Sequence, residues 1–121
     1  TMGLFKFVLG LKDVEVKGQT KVGTLKKDFK ESFGTEIRVY KTLNTGKGSR
    51  KADDKSTLAS ICADGKKVTG VTIKKSHTVG NIEDQFKEQM GIGVQIMGPI
   101  GEKFAPNDMR LKDIAKKMAP S

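Results

Sequence analysis

The sequence predicts an α+β fold: two diverged β-α-β-(short α) repeats that merge into one compact domain with an extra N-terminal strand. Three observations predict it: a phrase that occurs twice, a helical apolar pattern inside each copy, and alternating apolar residues on both sides of that pattern. The chain has 121 residues, which suits one domain with a real core. We therefore expect residues 1–121 to form a single domain, with repeat 1 at about 14–61 and repeat 2 at about 71–114.

The repeated segment reads VGTLKKDFKESFG at 22–34 and VGNIEDQFKEQMG at 79–91. Six of its thirteen positions are identical, whereas about one would be expected by chance from ordinary residue frequencies. Further on, ADDKSTLASI at 52–61 matches APNDMRLKDI at 105–114, with the offset reduced from 57 to 53 positions. Loops absorb such changes in length, so we infer a duplication with a longer loop in repeat 1.

Each copy of the phrase has the pattern of a short helix. Apolar residues recur at intervals of four: Leu25, Phe29 and Phe33 in repeat 1, and Ile82, Phe86 and Met90 in repeat 2. Thr24 and Asn81 are the predicted N-caps, and Gly34 and Gly91 the left-handed residues that end the helices. The sequence thus predicts one capped amphipathic helix in each repeat.

The segments around each helix predict strands and a second, shorter helix. VEVKGQTKV (14–22) and VTIKKSHTV (71–79) alternate like half-buried strands, as do IRVY and VQIM after the helices. Leu58 with Ile61, and Leu111 with Ile114, fit one or two helical turns, for which Asp54 and Asn107 are the predicted caps. No Pro-, Gly- or Ser-rich linker separates the repeats, which favours one merged core. The opening GLFKFVLGL is too short to span a membrane, and we expect a buried strand there.

The charge of the chain favours polyanionic or acidic partners. The formal net charge is +9, which bears on association rather than on fold. The candidate polyanion-binding residues are Lys26, Lys27, Lys30, Lys41, Lys47, Arg50 and Lys51. Against a nucleic-acid function, the chain has no Trp and one Tyr, and single-strand binders usually stack bases on exposed aromatic rings. Tyr40 is the one stacking candidate, although a half-buried strand position explains it better.

Enzymatic interpretations find little support. The single histidine, His77, and the single cysteine, Cys62, do not supply the three or four ligands of a zinc site. A Cys62 and His77 pair is a weaker explanation than a buried thiol and a solvated turn histidine. Asp53 and Asp54 fit helix capping better than acid and base catalysis, and TGKGS at 45–49 lacks the glycine and hydroxyl positions of a phosphate loop. We expect no enzyme activity, no metal and no cofactor.

Two resemblances follow from these motifs. The order strand, strand, helix ending in Gly, strand, with TVGNIEDQFKEQMGI followed by FAPNDMRLKDI, is similar to ubiquitin-like β-grasp domains. The segment ends in AKKMAPS rather than in a Gly-Gly tail, so a modifier role is not implied. VGTLKKDFKESFG, RVY and ADDKSTLASI also resemble small uncharacterised bacterial proteins that carry these phrases, often as a diverged pair. That resemblance implies a bacterial source and implies no activity.

The function that we expect is a non-enzymatic protein-interaction module with an acidic partner. The alternative is sequence-independent nucleic-acid binding through the Lys- and Arg-rich face of repeat 1. A homodimer stays open, and no membrane partner is expected. With one cysteine and no targeting segment in the sequence, the expected location is the cytoplasm.

Overall fold

The computed structural model describes residues 10–43, 45, 48–101 and 103–119. Within these residues four α-helices, one π-helical segment and four short strands alternate along the chain, which confirms the predicted α+β class. The strands form two antiparallel sheets of two strands each. Buried apolar side chains from both halves of the chain belong to one cluster.

The elements follow the predicted order in both halves. They are β1 (Val14–Val16), α1 (Val22–Phe33), β2 (Glu36–Val39), α2 (Leu58–Ile61), β3 (Val71–Ile73), α3 (Val79–Gln85), the π-helical segment (Phe86–Met90), β4 (Val94–Met97) and α4 (Leu111–Lys117). The expected N-terminal strand GLFKFVLGL lies almost wholly outside the described residues. The β-grasp resemblance stays a prediction, since the described strands form two separate sheets of two strands each.

Each sheet takes one strand from each half of the chain. β1 pairs with β3 and β2 with β4, both antiparallel. Glu15 lies opposite Thr72, and Arg38 lies opposite Gln95; the members of each pair are 57 positions apart, which is the repeat offset. Equivalent residues that face each other mark a local two-fold axis, as in a symmetric dimer. Each half therefore supplies the strand partners of the other.

The two faces of the β2–β4 sheet have different surroundings. Ile37 and Val39 of β2 lie in the main apolar cluster with α1, whose Phe29 and Phe33 rings pack edge to face at 5.0 Å. Because side chains alternate along a strand, Arg38 and Tyr40 lie on the opposite, outer face. Tyr40 is nevertheless buried, at 4% exposure, outside the main cluster. The outer face is thus partly covered by the loops that follow β2 and β4.

The helices begin earlier than the sequence predicts. α1 starts at Val22 after Lys21, and α3 starts at Val79 after Thr78, so Thr24 and Asn81 are not the N-caps. The first two amides of α1 donate to the carbonyls of Ser56 and Asp54, each at 2.9 Å. The loop before α2 therefore satisfies amide groups that a capping side chain would otherwise serve.

Repeat 2 has the same arrangement, with a side-chain cap in addition. The amides of Val79 and Gly80 donate to the carbonyls of Met109 and Asn107, each at 2.9 Å. Thr78 accepts from the amide of Asn81, while the Asn81 side chain accepts from the amide of Thr78. Asn81 therefore belongs to a capping box in its third helical position rather than at the cap.

The predicted caps of the two short helices are also wrong. α2 is capped by Thr57, whose hydroxyl accepts from Ser60 N at 3.2 Å, and α4 begins after Arg110. Asp54 and Asn107 instead offer their carbonyls to the helices α1 and α3. The physical reason is a tertiary contact. Backbone carbonyls of each loop accept hydrogen bonds from the first amides of the long helix in the same repeat, and the short helix begins only after these residues.

Gly34 and Gly91 end their helices in the left-handed conformation, as predicted, with φ of 66° and 65°. The last turns of the two helices differ, because the helix of repeat 2 ends in the π-helical segment. There the chain between the repeats contacts the helix end: Ala63 N donates to the Met90 carbonyl at 2.9 Å, and the Lys66 ammonium donates to the Glu88 carbonyl at 2.8 Å. In repeat 1 the amide of Leu11 similarly donates to the Ser32 carbonyl.

The first strand of each repeat is shorter than predicted, because a turn follows its third residue. In repeat 1, Lys17 N donates to the Thr20 hydroxyl at 3.0 Å; in repeat 2, Lys74 N donates to Nδ1 of His77 at 3.0 Å. Thr20 and His77 are equivalent positions of the two repeats. The histidine thus closes a turn, as its threonine counterpart does.

Candidate binding face

The three helix lysines of the predicted basic surface are each close to a carboxylate. The pairs are Lys26 with Asp54 at 3.0 Å, Lys27 with Glu31 at 4.0 Å, and Lys30 with Glu36 at 3.8 Å. Lys30 also donates to the carbonyl of Pro99 at 2.6 Å. Exposed pairs of this kind stabilise a fold little, but their carboxylates reduce the positive potential that α1 presents to a polyanion.

The loop residues of the predicted basic surface lie beside the end of β2. Lys41 N donates to the Arg50 carbonyl at 3.0 Å, and Lys51 forms a β-bridge with Tyr40. Among the described residues, Lys41, Arg50 and Lys51 form no ion pair. Lys47 lies outside the described residues.

The three helix lysines line one hollow, and of the described loop cations only Lys51 lines another. Lys26, Lys27 and Lys30 line a hollow of about 320 Å³ with Glu36 and Ile37. Lys51 lines a second hollow, of about 540 Å³, on the outer face of the β2–β4 sheet. Lys41 and Arg50 line neither of these two hollows. The basic residues therefore do not share one described hollow, although they all belong to repeat 1.

The larger hollow, which we call the outer hollow, is lined by side chains from both repeats. Its described lining residues are Arg38, Tyr40, Thr45, Gly48, Ser49, Lys51, Gln95 and Phe104. None of these is acidic. The Tyr40 hydroxyl donates to Oε1 of Gln95 at 2.8 Å, and Nη2 of Arg38 donates to the Gly101 carbonyl at 3.1 Å. These bonds fix the polar groups at the centre of the sheet.

The local two-fold axis passes through the outer hollow. Arg38 and Gln95, which face each other across the β2–β4 pair, are equivalent residues. Lys51 forms a bridge with Tyr40 and Phe104 forms a bridge with Met97, and Lys51 and Phe104 are equivalent at the second offset of 53 positions. Since β2 and β4 run antiparallel, Lys51 and Phe104 lie at diagonal corners of this face.

Three large apolar side chains are exposed in the loops that follow β2 and β4. Leu43 is 50% exposed, Ile100 is 55% exposed and Phe104 is 58% exposed. Leu43 and Ile100 again occupy equivalent positions of the two repeats. Because β2 and β4 run antiparallel, Leu43 lies beyond one end of the sheet and Ile100 beyond the other, and of the three side chains Phe104 is the one that lines the outer hollow.

Five residues of this region are not among those that the sequence predicts for binding: Arg38, Gln95, Phe104, Leu43 and Ile100. Arg38 and Gln95 looked like the polar positions of half-buried strands, and the other three looked like loop residues. Their proximity depends on the pairing of β2 with β4, which the predicted order of elements does not contain. The signal in the sequence that points to these residues is the alignment of the two repeats, which matches Leu43 with Ile100 and Lys51 with Phe104.

The residues considered for catalysis have structural surroundings. Nδ1 of His77 accepts a backbone hydrogen bond, and Cys62 is partly buried against the apolar cluster. The Asp53 carboxylate accepts from Lys55 N at 2.9 Å, which closes a turn. Within the described part of the chain, no group of three or more His, Cys, Asp or Glu side chains could hold a metal ion.

Comparison with known proteins adds no relative: no family model, no curated protein and no solved structure matches the chain. None of the helices in the described residues is long and apolar enough to cross a membrane.

Proposed function

We propose that the protein is a non-enzymatic interaction module that binds an acidic partner protein on the outer face of the β2–β4 sheet. The observation that carries the proposal is the outer hollow, whose described lining brings Arg38 and Lys51 together with the exposed Phe104 ring and includes no acidic residue. Aromatic and Arg side chains are the residues that most often dominate protein interfaces. A cytoplasmic location in a bacterium is part of this proposal.

The charge of the molecule supports an acidic partner. The net charge of +9 accelerates association with a negatively charged protein and disfavours self-association. Arg38 and Lys51 line the outer hollow, while the helix lysines next to Asp54, Glu31 and Glu36 contribute less. Among the described residues of the predicted basic surface, Lys41, Arg50 and Lys51 are therefore the ones whose charges remain unpaired for such a partner.

A second candidate function is sequence-independent binding of single-stranded nucleic acid. Phe104 favours it, because an exposed aromatic ring beside Arg38 and Lys51 suits base stacking together with phosphate contacts. Three observations place it second. Among the described residues one large exposed ring is present, whereas such binders usually present several. In addition, the α1 lysines contact carboxylates, and Leu43 and Ile100 are aliphatic side chains that do not stack on bases.

The experiment that tests the proposal is site-specific photo-crosslinking in bacterial cells. A benzophenone amino acid replaces Phe104 in one variant and Lys75 in a matched control. Lys75 is an exposed residue in the turn after β3 and does not line the outer hollow. We expect protein adducts of low isoelectric point from position 104 and few from position 75.

A substitution complements the crosslinking. Phe104→Ser should weaken binding of the captured partner at least about tenfold, which is a typical loss for an aromatic residue that anchors an interface. The fold should be retained, because Phe104 is 58% exposed. Equal adducts from both positions, or none, would contradict the proposal. Adducts that disappear after nuclease treatment would replace it with the nucleic-acid function.

A further inference from the structure

The outer hollow has two different ends although its backbone is nearly symmetric. The two-fold axis relates the corner occupied by Lys51 to the corner occupied by Phe104. One corner therefore offers an ammonium group and the other an apolar ring. A symmetric pair of corners would bind a ligand in either direction, whereas this pair distinguishes the two directions.

The centre of the hollow adds hydrogen-bond donors. Arg38 uses Nη2 for the Gly101 carbonyl, and its planar guanidinium has further N–H groups. Since Tyr40 donates to Oε1 of Gln95, the Gln95 amide group keeps its two N–H donors for another partner. Arg38 and Gln95 sit side by side on the axis, so these donors converge on the same region.

We infer that the outer hollow binds a short segment of the acidic partner in one direction, with a carboxylate at Lys51 and Arg38 and an apolar side chain against Phe104. This inference rests on the proposed function. The volume of about 540 Å³ lies within the range of small-ligand pockets and admits one or two residues of a peptide. Arg pairs with a carboxylate through two parallel hydrogen bonds, which fixes the orientation of that group.

A peptide carboxylate fits this hollow better than a phosphate backbone does. The described lining contains two cations and one exposed aromatic ring, whereas nucleic-acid binding usually draws on many phosphate contacts. Leu43 and Ile100 are exposed in the loops that follow β2 and β4, and a protein partner larger than the hollow can cover further apolar surface there. The carboxylate can come from an acidic side chain or from a chain terminus.

The test is a titration of the isotope-labelled full chain with four peptides, followed by backbone amide NMR. The first peptide is acetyl-Gly-Leu-Phe with a free terminal carboxylate, and the second is its terminal amide. The third is acetyl-Gly-Glu-Leu-Phe-amide, and the fourth has Gln in place of Glu. We expect the resonances of Arg38, Lys51, Gln95 and Phe104 to shift with at least one acid, and its neutral counterpart to bind at least about tenfold more weakly.

Variants of the full chain test the direction of binding. Lys51→Ala and Phe104→Ser should each weaken binding at least about fivefold, while Lys75→Ala should not change it. The exchange Lys51→Phe with Phe104→Lys should retain binding and reverse the peptide. A spin label on the amino end of the peptide with the free terminal carboxylate would then broaden resonances near position 51 in place of those near position 104. For the Glu peptide, whose carboxylate is close to its amino end, the change would be the opposite one. Both exchanged side chains are exposed, so the fold is retained.

The outcomes separate this inference from the proposed function. Equal binding of acids and amides, shifts outside the outer hollow, or no binding at millimolar peptide would overturn the inference. If crosslinking at position 104 still captures an acidic protein, the proposed function survives without it. Displacement of the acid peptide by a short oligonucleotide at physiological salt, with tighter binding of the oligonucleotide, would overturn both.

Discussion

Glu83 lies on α3 with its carboxylate against the edge of β4, where it accepts from Ile96 N at 3.3 Å. Burial raises the pKa of Glu83 above its ordinary value, the hydrogen bond from Ile96 opposes this, and the neighbouring Asp84 adds to it. Lys26 is the equivalent residue of repeat 1 and forms an exposed ion pair instead. The same position of the repeat thus accepts a backbone hydrogen bond in repeat 2 and forms a surface ion pair in repeat 1.

The raised pKa predicts how Glu83→Gln changes stability with pH. A carboxyl group whose pKa is raised by folding stabilises the protein at low pH, and this contribution is lost as the pH rises through the folded-state value. Glu83→Gln should therefore raise the free energy of unfolding at pH 7, since the amide carbonyl still accepts from Ile96 N without a buried charge. The difference should shrink below about pH 4, where Glu is protonated in both states.

Urea unfolding followed by circular dichroism at pH 7 and at pH 3.5 measures this effect. Glu88→Gln is the matched control, because Glu88 is an exposed glutamate of the same helical stretch. A Glu83→Gln variant that is less stable than the parent at pH 7 would show that the charge-assisted hydrogen bond outweighs burial.

At the scale of elements, the end of the helix in repeat 2 depends on close contact with the chain between the repeats. Gly91 has φ of 65°, and a Cβ atom added there would lie 2.4 Å from the Cβ of Ala63. Gly91→Ala should therefore lower the free energy of unfolding by about 3 kcal/mol, combining the left-handed backbone cost with overpacking. Chemical denaturation measures the loss.

Two controls separate these contributions. Gly65→Ala carries the backbone cost alone, because φ is 80° and the space around it is open; about 1 kcal/mol is expected. Adding Ala63→Gly to Gly91→Ala should recover the part that overpacking causes. A double variant no more stable than Gly91→Ala would contradict the close contact between Ala63, in the chain between the repeats, and the end of the helix.

The elements also indicate how far the sequence could predict the fold. The α1 stripe of Leu25, Phe29 and Phe33, and the glycines that end both long helices, follow from local rules, and the structure contains them. The helix starts do not, because the loops at Asp54 and Asn107 supply carbonyls from far along the chain. Local pattern fixes periodicity and stop signals, whereas tertiary hydrogen bonds decide where a helix begins.

The candidate site was less predictable for the same reason. Lysines can be counted in a sequence, but the carboxylates beside Lys26 and Lys30 come from Asp54 and Glu36, outside α1. The outer hollow depends on β2 pairing with β4 across the repeat. Arg38 and Gln95 become neighbours only through that register.

At the scale of the whole molecule, the two repeats exchange strand partners. Each sheet contains equivalent strands related by the local two-fold axis, so each repeat occupies the position that a second copy of the other would take in a symmetric dimer. The outer hollow, which draws Arg38 from one repeat and Gln95 from the other, depends on this arrangement. The proposed binding face is therefore a property of both repeats together.

This arrangement predicts the behaviour of the separated halves. Residues 1–63 alone should lack a folded monomeric state, since both of the strands described in this half have lost their partners and a unit of this size is marginal. Adding residues 64–121 should restore the fold. At high concentration a half should pair with its own copy, because equivalent residues already face each other on the axis.

The most direct measurement is the amide NMR spectrum of labelled residues 1–63 at low concentration, before and after one equivalent of unlabelled 64–121. The interlocked arrangement predicts a narrow spectrum that becomes dispersed on mixing, with Arg38 resonating as in the full chain. A dispersed, monomeric spectrum of 1–63 alone would contradict it, and would separate the outer hollow from the arrangement on which its proposed function depends.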